Sequence, residues 1–388
     1  MEFQRLEFLW SFDVRGWDFT LIMRLFLCGD VMTGRGIDQA LPHPVNPILY
    51  EPYVGDAREY VALAEKANGS IPYPLSADYI WGDALQELER AKVDLRIANL
   101  ETAITSAETP WPEKGIHYRM HPENIGCLRS AKISGCALAN NHVLDWGYDG
   151  LLETLKTLDA AGIAHTGAGN DAEEAMKPAV LGTAGNRRVL LFSFGSRTSG
   201  IPQDWKATGI SPGVSLLDDL SEASAARAVD QMRAHQQLGD LIIASIHWGS
   251  NWGYEIPRDQ IMFAHRLIEE GIAVVHGHSS HHVKAIEVFN GRLILYGCGD
   301  FVTDYEGISG YPAAAGFRGD LALMYFIELD SSSGELVTAR LVPLRMQRFR
   351  LERTSAIDTT WLCNRLNNFG KPFATGIRLA EDNSLTLH

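Results

Sequence analysis

Five short apolar runs, each stopping at a side chain able to bind a cation, constrain this chain more than any other feature. They are Phe26-Leu27-Cys28-Gly29-Asp30, Arg96-Ile97-Ala98-Asn99-Leu100-Glu101, Cys136-Ala137-Leu138-Ala139-Asn140-Asn141-His142, Ile242-Ile243-Ala244-Ser245-Ile246-His247 and Val274-Val275-His276-Gly277-His278-Ser279-Ser280-His281-His282. The last run places four imidazoles within seven residues. Runs this short and this apolar read as strands buried on both faces. In an open α/β sheet the carboxyl ends of the strands line one edge, so donors far apart in sequence can meet there.

Helical spacing separates the runs. Tyr79, Ile80, Ala84, Leu85 and Leu88 recur behind a Ser76 cap and predict a helix as far as Lys92. Further helices are expected near Pro122–Ala131, Tyr148–Ala161, Ser221–Leu238 and Arg258–Glu270, alternating with strands at Val93–Ala98, Ile133–Ala139, toward Thr166, at Val189–Phe194, Leu241–Ile246 and Ile272–Val275. This alternation implies βαβ units and an α/β (α+β) class. From Val283 onward strands dominate: Asn290-Gly291 predicts a type I′ hairpin between Ile286–Phe289 and Arg292–Tyr296, followed by strands at Leu321–Leu329 and Leu336–Arg350. Thr359–Asn368 reads as a closing helix. The Pro-rich passage Leu41–Pro74 has little periodicity and reads as a long loop covering a cleft. Residues 1–22 lack a period while Met23 opens a strand at once, so they read as an N-terminal extension to a single domain over 23–350, with 351–388 packed on it.

The formal net charge of −14 argues against nucleic acid or an anionic membrane surface as a partner. No segment approaches the roughly 18 apolar residues of a spanning helix, and Asp13, Arg15 and Asp18 interrupt what would be a signal-peptide core. Five cysteines without C-x-x-C spacing read as reduced, structural thiols in a cytoplasmic setting.

His247 ends an apolar strand just before Trp248-Gly249, which suits a ring aimed into a cleft. Asp30 reads as a metal ligand or a helix cap. Asn140, Asn141 and His142 directly follow Ala137-Leu138-Ala139, and amide oxygens beside acids suit a divalent cation, although either Asn also suits a helix N-cap. Asp145 can orient the His142 ring. Arg35 and Asn140 are candidate substrate contacts, Arg35 equally a solvated loop cation. Such a mixed set holds one or two divalent ions, without choosing among Mn, Zn, Fe and Mg, and makes hydroxide available at neutral pH. Hydrolysis of a phosphoester or an amide follows naturally.

Six ordered motifs resemble those of the CapA family of capsule and poly-γ-glutamate synthesis proteins. They are Gly29-Asp30-Val31-Met32, Asn99-Leu100-Glu101, Ala139 through Gly147, His247-Trp248-Gly249, Gly277 through His281, and Ile294 through Phe301, all between Arg24 and about Asp330. The resemblance implies a calcineurin-like metallophosphoesterase fold, a two-layered mixed β-sandwich flanked by helices, with metals at the strand ends. It implies Asp30 and His281 at a first metal, Glu101 bridging, Asn141, His247 and His278 at a second, and His142 as the acid that protonates the leaving group. The chain departs from that pattern where Met32 stands in place of a histidine, and where Asn99 and Glu101 replace a Gly-Asp-x-x-Asp pattern. One ion therefore remains as open as two. Asp300 matches a motif near the site without a derived role. The functions implied are a metal-dependent hydrolase of a small anionic or γ-glutamyl substrate, a non-hydrolytic accessory of poly-γ-glutamate assembly, or a metal-dependent binder.

Overall fold

Successive side chains of the first strand, β1 (Ile22–Val31), point to opposite faces, and both faces are covered. Leu25 and Leu27 belong to one buried cluster, Phe26 and Cys28 to another. That double burial is why the run reads as continuously apolar rather than alternating. The computed structural model describes residues 22–182, 187–308 and 316–388; the extension expected over 1–22 lies outside them except for Ile22.

Along the chain, β1 is followed by α1 (Arg58–Asn68), α2 (Asp83–Ala91), β2 (Leu95–Leu100), β3 (Gly135–Ala137), α3 (Gly147–Ala161) and β4 (Ala164–Thr166). Then come β5 (Ala179–Gly182), β6 (Arg188–Gly195), α4 (Glu222–His235), β7 (Leu241–His247), α5 (Arg258–Glu269) and β8 (Val274–His278). The hairpin β9 (Ile286–Phe289) and β10 (Arg292–Leu295) precedes β11 (Asp300–Val302), β12 (Leu321–Asp330), β13 (Leu336–Gln347), β14 (Arg350–Arg353), α6 (Ala356–Gly370), β15 (Ile377–Leu379) and β16 (Leu385–Leu387).

Two mixed sheets result. The larger runs β15-β16-β13-β12-β1-β2-β3-β4, with β11 beside β1 and β14 beside β13; the smaller runs β9-β10-β8-β7-β6-β5. The strands β1 to β4 pair in parallel, as do β6, β7, β8 and β10. Leu25, Leu27 and Ile97 of the larger sheet share a buried cluster with Val189, Leu191, Ile243 and Val274 of the smaller, which is the filling of the sandwich. Helices close the outer faces: α2 and α3 supply Ala84, Leu88, Leu151 and Leu155 to one, α4 and α5 supply Ala228, Met232, Phe263 and Leu267 to the other. This is the helix-flanked, two-layered mixed sandwich expected of the metallophosphoesterase class.

The structure corrects several element boundaries. The helix expected from Ser76 to Lys92 is a 3-10 turn, Tyr79–Trp81, and then α2, broken at Gly82 with φ 45°. A Cβ at Gly82 would lie 2.1 Å from the Leu351 carbonyl, so the break lets β14 pass close by. Pro122–Ala131 is likewise split, into a 3-10 turn capped by the His121 ring and a short helix Gly126–Ser130. The passage Leu41–Pro74 contains α1, whose fully buried face is only Tyr60 and Ala64, too narrow a stripe to stand out in the sequence. The strand expected over Leu336–Arg350 turns at Arg348-Phe349 and continues as β14. At the hairpin, Asn290 and Gly291 both take positive φ, as a type I′ turn requires.

Candidate metal centre

The carboxyl ends of β1, β2, β7 and β8 lie at one edge of the sandwich, and their terminal side chains meet there. Asp30, His247 and His278 are buried, with one ligand atom of each within 4.8 Å of the other two. His278 Nδ1 lies 4.0 Å from Asp30 Oδ1 and 2.7 Å from His247 Nδ1. Hydrogen bonds behind the rings set this orientation: Ser245 Oγ meets His278 Nε2 at 2.9 Å and His276 Nδ1 at 3.0 Å, while His276 Nε2 reaches the Cys28 carbonyl at 2.9 Å and ties the two sheets together. Asn141 Oδ1 is 2.9 Å from His247 Nε2, and Glu101 Oε1 is 3.8 Å from the same nitrogen. Asn99 donates its amide to Asp30 Oδ1 at 2.8 Å and to Glu101 Oε2 at 3.2 Å, holding both carboxylates in place.

Turning the chain so soon after β8 takes an unusual backbone. Ser279 has φ 97°, and its N–H reaches Asp30 Oδ2 at 3.2 Å. Backbone held in such a region is costly and persists where the surroundings enforce it.

Electrostatically the site asks for a cation. Burial pushes the Asp30 carboxyl up to about 7, with the Asp300 charge adding to it. Burial and then Asp30 raise Glu101 well above its ordinary value. Burial also holds His247 and His278 well below theirs, so both rings are neutral donors. A carboxylate and two neutral imidazoles, with an amide oxygen and a second carboxylate alongside, form a donor set that a divalent ion satisfies. The residues present fit that ion.

Beside this group stands a second one. His142 Nδ1 is 2.7 Å from Asp145 Oδ2, and His142 Nε2 is 3.9 Å from Glu101 Oε1. Lys114 Nζ lies 2.7 Å from Asp145 Oδ1 and donates to the Ile116 carbonyl at 2.8 Å. Burial works against the Asp145 carboxylate, yet His142 and Lys114 outweigh it and hold its pKa below the usual value. Burial draws the His142 ring down to about 4, so it is neutral near pH 7.

The remaining sequence candidates sit differently from expectation. Arg35 is neither a solvated cation nor an open anchor: it is 3% exposed, and its guanidinium bonds Asp304, Glu51 and the Tyr60 hydroxyl. Asn140 is fully buried, donates to Asn99 Oδ1 and the Leu100 carbonyl, and accepts from the His142 and Val143 N–H groups, so it fastens the turn that follows β3 and caps no helix, since α3 begins only at Gly147. His281 stands outside the Asp30–His247–His278 group; its Nδ1 is 2.9 Å from Asp300 Oδ1. Lys114, Glu51, Asp304 and Tyr305 are the contributors that the sequence did not single out.

A cleft of about 620 Å³ opens above the site, lined by Glu101, Lys114, Asn141, His142, Trp252 and Tyr305 among others. The passage 41–74 supplies Glu51, Pro52, Tyr53 and Tyr60 to its wall. A larger cavity of about 850 Å³ lies between α2 and the far part of the larger sheet, away from these donors, and its charged lining includes Arg24–Glu328 and Arg340–Asp382 pairs.

Residues 24–305 match the family model described as bacterial capsule synthesis protein PGA_cap. The chain belongs to that family. This PGA_cap chain is 45% identical over 365 residues to a probable polyglutamine synthesis accessory protein of Mycobacterium tuberculosis, covering 94% of the chain and 95% of the relative. It is 25% identical over 260 residues to the PGA biosynthesis protein CapA of Bacillus subtilis, covering 66% and 64%, and 26% identical over 193 residues to the capsule biosynthesis protein CapA of Bacillus anthracis, covering 50% and 45%. Among the described residues of this PGA_cap chain, no helix is long and apolar enough to cross a membrane.

Proposed function

We propose that this PGA_cap chain is a metal-dependent hydrolase acting at a γ-glutamyl or other amide bond, or at a phosphoester. The observation that carries the reading is the pairing of two groups at one cleft: a buried Asp30–His247–His278 donor set and a His142–Asp145 dyad beside it. A bound divalent ion supplies Lewis acidity and makes water nucleophilic near neutral pH. Asp30, His247 and His278 would hold it, with Asn141 and Glu101 completing the set.

The protein's own proton chemistry runs through His142. Its Nδ1–H donates to Asp145 Oδ2, which leaves the Nε2 lone pair directed toward the Glu101 side of the site. Because burial keeps the ring neutral, His142 first accepts a proton at Nε2 and then returns it to the departing atom, so the expected acid begins the cycle as a base. Asp145, held by Lys114, steadies the imidazolium between those steps. Five free cysteines among the described residues agree with a reducing, cytoplasmic setting.

The likeness to a probable polyglutamine synthesis accessory protein favours a second reading, a non-hydrolytic accessory of polymer synthesis. Assays separate the two. Manganese-loaded protein is offered bis(p-nitrophenyl) phosphate and γ-glutamyl-p-nitroanilide, and H142A is run in parallel with its metal content measured. Turnover lost in H142A at unchanged metal content supports the hydrolase. A fully loaded wild type that turns over neither substrate defeats it and leaves the accessory reading.

A further inference from the structure

We infer that Asp30 and Asp300 form a second, oxygen-donor cation position beside the Asp30–His247–His278 group. The inference rests on the metal-dependent reading above and adds a ligand that neither the resemblance nor the relatives assign. Asp30 and Asp300 are register partners on the parallel strands β1 and β11, and the Asp30 N–H donates to the Gly299 carbonyl at 3.1 Å, which locks the two segments together. Both side chains are buried, at 0% and 3% exposure. His281 Nδ1 meets Asp300 Oδ1 at 2.9 Å and so fixes the carboxylate from one side. Its other oxygen, Oδ2, is buried and has no hydrogen-bond partner among the described residues.

A buried carboxylate oxygen left without a donor costs about 1–3 kcal/mol or more, so its persistence needs a reason. Side-chain cations do not supply one. The nearby Arg35 guanidinium is engaged with Asp304 and Glu51, and Lys114 with Asp145. The same pair of segments carries Met32, whose N–H donates to the Val302 carbonyl at 2.8 Å and whose sulfur accepts from the Tyr305 hydroxyl at 3.2 Å. A nitrogen ligand is thus missing at 32 while an unpartnered oxygen ligand stands at 300. The carboxylate replaces the imidazole, and His281 becomes the group that orients it.

The two positions then differ in chemistry. Two imidazoles, a carboxylate and an amide oxygen suit a borderline ion held firmly, whereas two carboxylates and water suit Mg²⁺ or Mn²⁺ held more loosely.

Protein stripped with chelator and titrated with Mn²⁺ tests this directly, reading bound metal by mass spectrometry and spin coupling by electron paramagnetic resonance. The wild type is expected to take two Mn²⁺ per chain, the second about tenfold or more weakly, with a coupled signal when both are bound. D300N is expected to lose the weaker step and the coupling while keeping the tighter step. One Mn²⁺ in the wild type, or two in a folded D300N, overturns the second position and leaves the hydrolase reading standing. No bound Mn²⁺ in the wild type overturns both. One Mn²⁺ per wild-type chain overturns the second position even if D300N fails to fold.

Discussion

His142 and Asp145 leave the same strand end three residues apart and face each other at 2.7 Å between Nδ1 and Oδ2, with Lys114 on the far oxygen of the carboxylate. The Tyr118 N–H also donates to Asp145 Oδ2, at 2.6 Å. The carboxylate therefore fixes the ring by charge and by position. In D145N the amide can present its NH₂ to Nδ1 and reverse the tautomer, and Lys114 loses its counter-charge. Turnover is expected to fall roughly 10²–10⁴-fold, the usual worth of a positioned acid–base group, at unchanged metal content. Steady-state kinetics alongside metal analysis checks it, and undiminished turnover in a loaded D145N removes the dyad from the mechanism.

The fold and the core of the site were legible because both follow from local chemistry. Strands covered on both faces must be apolar throughout, so Leu25–Cys28 and Ile242–Ile246 announce themselves, and a donor at the end of such a strand has little else to do. Lys114 was invisible for the opposite reason. It sits outside any helix or strand, and only the fold brings it to Asp145. Arg35 misled because a basic residue after Asp30 looks like an anchor, while its partner Asp304 lies far along the chain. His281 and Asp300 read as separate motifs until the pairing of β1 with β11 set Asp300 beside Asp30.

Metal removal should weaken the fold as well as any activity. Asp30 and Glu101 are buried carboxylates with raised pKa values, so a cation bound only to the folded chain offsets their burial. Ligand at a hundredfold excess over its dissociation constant stabilises by about 2.7 kcal/mol. Protein dialysed against chelator is expected to melt several degrees lower, with Mn²⁺ restoring the original midpoint. Identical melting curves with and without metal would count against a cation at this site.

Lys284 gives a pH signature independent of the site. It is 3% exposed, and burial draws its ammonium from 10.5 down to about 8. Between those values the folded chain holds fewer protons than the unfolded one, so stability rises with pH there; below pH 8 both forms are charged and the full cost of burying the ammonium is present. At 1.36 kcal/mol per pKa unit that cost is on the order of 3 kcal/mol. The neighbouring His282, held at about 4, stays neutral throughout this range. K284M is therefore expected to be more stable than wild type at pH 7, with the gain shrinking toward pH 10, as read from denaturant midpoints. A gain that does not change with pH means the lysine is not buried as an ammonium.

Gly29 should be irreplaceable because of how closely β1 passes the Gly299 turn. A Cβ at position 29 would fall 1.8 Å from the Gly299 carbonyl oxygen and 2.9 Å from its carbon, both backbone atoms. In G29A one of the two segments must move, and the bond from the Asp30 N–H to that same carbonyl is the first casualty. Overpacking of this kind costs roughly 1–3 kcal/mol. Because Asp30 follows immediately, the displacement carries the metal ligand with it, so bound metal should fall together with the unfolding midpoint. At Gly55 an added Cβ meets nothing within 4 Å, and G55A should leave both readings near wild type, since the alanine adds no contact and slightly restricts the unfolded chain. If G29A binds metal as well as G55A does, the close approach of β1 to Gly299 is not what holds Asp30 in place.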